Sequence, residues 1–95
     1  LVLQMIELYL QQGGERMTQL RSAVAASDAR QVERTAHAIK SSAGNLGVLA
    51  LQRVAEALEV LAAQGVVDAE LAGRAAAEYE ASEAHLRRVA AELRA

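Results

Sequence analysis

The sequence predicts an all-α fold, an antiparallel up-and-down four-helix bundle. Three observations carry that prediction. The 95-residue chain has no proline and six glycines, so most of the punctuation of strands and tight turns is missing. Alanine, leucine, glutamate, glutamine and arginine dominate it, and all five favour helix. Apolar residues recur at steps of three and four, with few alternating runs. A chain of this length makes one small domain, residues 1–95, with a single layered core. Alanine buries little area, so the larger aliphatic residues and the two tyrosines must supply most of that core.

The first helix is expected from Leu1 to about Ala26, with Val2, Ile6, Tyr9 or Leu10, Gly13, Met17, Leu20 and Val24 on one face. Gly13 and Gly14 interrupt it at an intrinsic cost of ~1 kcal/mol each. The stripe keeps its phase across them, which favours one continuous helix in which Gly13 lets a neighbour pack close. Ser27 or Asp28 can cap the second helix, whose inward residues are Val32, Ala36, Ile39 and Ala43. Gly44, Asn45 and Gly47 end it. The third helix runs from about Val48 to Ala63, with Leu51, Val54 or Ala55, Leu58, Leu61 and Ala62 inward. Gly65 suits a left-handed turn position, and Asp68 can cap a last helix over about 68–93. That helix turns Leu71, Ala75, Tyr79, Leu86, Val89 and Leu93 inward. Each helix is apolar on one side only, so none is stable alone. Four of them joined by short connections pack as a bundle.

Ten basic residues against twelve acidic ones leave a net charge of -2, with no basic stripe for a nucleic-acid backbone. The chain has no cysteine, hence no disulfide framework or thiolate metal site, which suits a reducing compartment. No apolar run approaches the ~20 residues of a membrane span, and no signal peptide is visible. A cytoplasmic monomer is the expectation.

The chemistry concentrates in "ERTAHAIKSSAGNLG", residues 33–47, which hold one of two histidines and the only lysine. At about 100° per residue, Lys40 lies about 60° from His37, Ser41 about 40° away, and Gly44 almost in line along the axis. Arg34 is the matching neighbour one turn back. This set borders the buried stripe, so His37 stands at the rim of the bundle, and the small residues beside it allow a second protein to come close. An imidazole with an ordinary pKa of ~6.5 is a competent nucleophile near neutral pH, and phosphorylation there adds roughly two negative charges. The ammonium of Lys40 can attract and steady that group, and Ser41 can add a hydrogen bond. No second ligand at a fixed offset offers a zinc cage, and no orienting third group makes a serine–histidine–acid triad. Read as residues alone, His37 is either this reactive group or a half-buried polar residue with an ordinary surface lysine.

"AHAIKSSAGNLG" followed by "LQRVAEALE" resembles the histidine-containing phosphotransfer domain of bacterial two-component phosphorelays. In that family a segment A-H-x-L-K-G-x-x-x-x-x-G lies on the second long helix of a four-helix bundle. His37 matches the phosphorylated histidine, Lys40 the lysine after it, Gly47 the later glycine, and Leu58 with Glu59 the L-E of the next helix. "MIELYL", with Tyr9, is similar to the family's hydrophobic opening. Ser41 departs from the usual glycine and puts a β-carbon and a hydroxyl beside the phosphoryl site; Ile39 replaces leucine.

The resemblance implies a carrier that takes a phosphoryl group from one receiver-domain aspartate and passes it to another, without kinase activity or cofactor. It implies response-regulator receiver domains as partners, with the magnesium ion on their side, and a hybrid sensor histidine kinase upstream. Arg34, Ser41, Gly44, Leu10 and Gly14 are the candidate docking residues. Glu59 either approaches His37 or is surface charge, and His85 is expected to face solvent. A helical interaction module that merely contains His37 is the alternative. A kinase dimerisation domain fits poorly, because no nucleotide-binding glycine loop is present.

Overall fold

Four helices make up the fold in a computed structural model, which describes residues 1–95: α1 (Val2–Ala25), α2 (Ala29–Asn45), α3 (Leu49–Ala63) and α4 (Ala69–Arg94). The connections are short because the chain carries its own stop and start signals. Asp28 Oδ1 accepts the Gln31 backbone N–H at 3.1 Å, and Asp68 Oδ1 accepts that of Leu71 at 2.9 Å. Each cap satisfies a donor that the first helical turn would leave unpaired. Of the two candidates before α2, Asp28 is the cap, while Ser27 makes the turn at φ 51°. Gly47 and Gly65 take φ of 70° and 83°, the left-handed region in which a β-carbon is strained.

Each helix packs on its neighbours in sequence, and α4 closes back on α1, so the four form a ring around one core. Ile6, Leu20, Val32, Leu51 and Leu58 are its largest fully buried side chains. The expected inward residues of α2 are all buried, as are Leu51, Val54, Ala55, Leu58 and Ala62 of α3. The α1 helix runs unbroken through Gly13, where an added β-carbon would collide with the ring of Tyr79. That contact draws α1 and α4 together. Beside it the Tyr9 and Tyr79 rings pack at 5.6 Å. Tyr9 Oη and Ser82 Oγ lie 2.7 Å apart, and the Ser82 hydroxyl also donates to the Tyr79 carbonyl. Burial pushes the Tyr79 phenol up to about 12.

The sequence pattern overreaches at the ends of the two long helices. Val2 and Leu93, expected inward, are exposed. The reason is length: α1 and α4 span 24 and 26 residues against 17 and 15 for α2 and α3. The outermost turns of the long pair therefore have fewer neighbouring helices to cover them. Leu10, Val24, Leu61, Leu71 and Val89 are half-buried rather than central. No helix is long and apolar enough to cross a membrane.

Candidate functional site

His37 lies midway along α2, two residues before the buried Ile39, on a helix held by Val32, Ala36 and Ala43. Its backbone is therefore fixed by the core while its side chain is 62% exposed. The ring is open to solvent, and the inward stripe of α2 sets where it stands.

Glu59 fixes how the ring is turned. Its carboxylate reaches across from α3, placing Oε2 2.6 Å from His37 Nδ1 and Oε1 2.6 Å from Lys40 Nζ. One carboxylate thus bridges the imidazole and the ammonium one turn further on. The hydrogen bond from Lys40 is the main cause holding the Glu59 carboxyl below its ordinary range, opposed by desolvation and helped by His37. The same bond raises Lys40 above the ordinary lysine value. Glu59 is therefore ionised near neutral pH and can only accept hydrogen bonds. Nδ1 consequently carries the hydrogen, which leaves Nε2 of a neutral ring with its lone pair free. This arrangement orients a histidine for nucleophilic attack through its second nitrogen.

Of the two readings the sequence left for Glu59, the structure realises the approach to His37. Periodicity alone could not decide this, because it needs the register between α2 and α3. Gly44 is exposed, and a β-carbon there would come 2.9 Å from Gln52 Nε2 of α3, the end of a flexible side chain.

Arg34 and His37 line one open concavity with Arg30, Glu33 and Glu59. Arg30 was not singled out in the sequence, although its spacing to Arg34 and His37 (four, then three) marks one helical stripe. Ser41 is exposed, but its hydroxyl donates to the His37 carbonyl at 3.1 Å. Its proton is directed at the helix backbone rather than toward the ring. Neither Leu10 nor Gly14 lines that concavity. Gly14 shares a helical face with Glu7, which pairs with Arg94 of α4 at 2.7 Å, and with Arg21, which lines a groove beside α4. That flank of α1 turns toward α4, whereas His37 leans toward α3. His85 is exposed on α4. No group of three or more histidine, cysteine, aspartate or glutamate side chains could hold a metal ion.

A protein-family model described as Hpt domain matches residues 4–95, nearly the whole chain. Neither the curated proteins nor the solved structures gave a significant match.

Proposed function

The chain belongs to the Hpt domain family, and from that premise we propose that His37 is its phosphoacceptor, taking a phosphoryl group from one receiver-domain aspartate and handing it to another. Family membership carries the coarser statements without further argument. Hpt domains are phosphotransfer carriers without catalytic activity of their own, they serve phosphorelay signalling, and they interact with receiver domains. The observation that supports the finer reading is the exposed ring of His37 with its Nδ1 held by Glu59.

The transfer balances simply. The Nε2 lone pair forms the N–P bond as the P–O bond to the receiver's aspartate breaks, and the electron pair leaves with that carboxylate. The imidazole retains its Nδ1 hydrogen throughout and gains positive character, which the Glu59 carboxylate stabilises at hydrogen-bond distance. In the onward step a second aspartate oxygen attacks phosphorus and the ring departs as neutral imidazole, again with no proton to move. A leaving group that needs no proton transfer suits a carrier that must run in both directions. Any magnesium ion involved is supplied by the receiver. The reading places the domain in the compartment of its receivers, the cytoplasm.

The test is capture of label. The 95-residue chain is mixed with receiver domains carrying radiolabelled phosphoaspartate. Wild type should acquire label that is stable in base and labile in acid, the mark of a phosphoramidate. His37→Gln should acquire none while keeping its helical circular-dichroism spectrum. Label on the His37→Gln protein would overturn the assignment.

A further inference from the structure

The bridging carboxylate has a consequence for charge. A phosphoryl group on His37 brings roughly two negative charges, and the cations nearest by sequence are Lys40 and Arg34, each three residues away. Lys40 is the one whose ammonium reaches the carboxylate that binds the ring. Its ammonium, however, is already bound to Glu59 at 2.6 Å, so those two charges offset each other before any phosphate arrives. The exposed Glu56 also acts on Lys40. Net positive charge for the phosphoryl oxygens must come from elsewhere on the rim.

Two guanidinium groups stand there. Arg30 and Arg34 are exposed, line the concavity that contains His37, and take part in none of the chain's four ion pairs. The opposing charges in the same concavity are Glu33 and Glu59, and Glu59 is the one engaged by Lys40. Arg34 precedes His37 by three residues, about 4.5 Å along the helix axis. Residues three apart are neighbours on a helix surface, and Arg34 and His37 line the one concavity. A guanidinium offers several N–H donors in a planar fork that suits phosphate oxygens.

We infer that Arg34, seconded by Arg30, is the cation that holds the phosphoryl group on His37, on the side of the ring away from the Lys40–Glu59 pair. This rests on the proposed phosphorylation of His37. It assigns Arg34 to the phosphorylated state of the isolated chain, as distinct from a contact made only with a docked partner.

The experiment therefore omits the partner. The full chain is loaded with phosphoramidate, and the phosphohistidine resonance is followed by phosphorus NMR against pH. A neighbouring guanidinium favours the dianion and lowers the second ionisation of the phosphoryl group. In Arg34→Gln that ionisation should rise by roughly half a unit, the scale of an exposed ion pair. Arg34→Lys should recover part of the difference, and Glu33→Gln should move the ionisation the opposite way. Arg34 is exposed and unpaired, so the circular-dichroism spectrum should not change. A resonance that titrates identically in wild type and Arg34→Gln would overturn the inference while leaving His37 as acceptor, even if Arg34→Gln slowed transfer from receivers. A wild-type spectrum without a resonance that His37→Gln abolishes would remove the acceptor assignment, and this inference with it.

Discussion

Alanine at position 13 would carry its β-carbon to 2.5 Å from Cζ of Tyr79, and nearer still to Cε1 and Oη. The tyrosine has little room to yield. Its ring is 5% exposed, packs on Tyr9, and donates its hydroxyl to Glu83 at 3.3 Å. Overfilling a packed site of this kind costs about 1–3 kcal/mol. Against that, alanine returns up to about 1 kcal/mol of helix propensity. The net expectation for Gly13→Ala is a loss of about 1–2 kcal/mol. At roughly 4–8 °C per kcal/mol for a domain of this size, the melting temperature falls by on the order of 10 °C. Gly14 is the internal control. A β-carbon there meets nothing within 4 Å, so Gly14→Ala keeps the propensity gain and should raise the melting temperature by about 5 °C. Thermal and urea unfolding followed by circular dichroism read both variants. A Gly13→Ala protein as stable as wild type, or two neighbours shifting in the same direction, would refute the close contact between α1 and α4.

The remaining predictions concern the bridge and the caps. Glu59→Gln keeps the shape but loses the charge facing Nδ1–H. Phosphoryl uptake on His37 should slow roughly ten-fold, the kinetic equivalent of about 1.4 kcal/mol; an unchanged initial rate would remove Glu59 from the reaction. Lys40→Ala should slow uptake by less, because the ammonium is already engaged by Glu59. The bridge also makes a prediction about pH. Glu59 is lowered from 4.5, so its contribution to stability is complete above that value and is lost as pH falls through the lowered one. Lys40 is raised from 10.5, so its contribution is complete below that value and is lost as pH rises through the raised one. The stability difference between wild type and Lys40→Ala, from urea titrations, should be flat from about pH 5 to about pH 10 and shrink at either end. Asp28→Ala and Asp68→Ala should each cost about 1 kcal/mol in the same assay.

The helices were legible because their signals are local. Capping aspartates, left-handed glycines and a three-to-four step act within a few residues, so Asp28, Gly47, Gly65 and Asp68 could be assigned from their neighbours. Val2 and Leu93 could not, since their exposure depends on where other helices stop. The candidate site divides in the same way. His37, Arg34 and Lys40 share one helix, and arithmetic along it brings them together. Glu59 is 22 residues from His37 along the chain, and its role depends on how α3 lies against α2. Leu10 and Gly14 lie outside the concavity around His37, and a stripe on α1 does not reveal which of its flanks faces α2 and which faces α4. Arg30 is legible on the same grounds: its spacing to His37 is as regular as that of Arg34.

The bridge between His37 and Glu59 confines the reactive chemistry to one hairpin of adjacent helices. The other two helices contribute no side chain to it and serve as its foundation. Damage to that foundation should change how many molecules are folded at a given temperature, while each folded molecule keeps an unaltered reaction rate. Substitutions in α1 and α4 should therefore alter dosage, and those in the hairpin should alter speed.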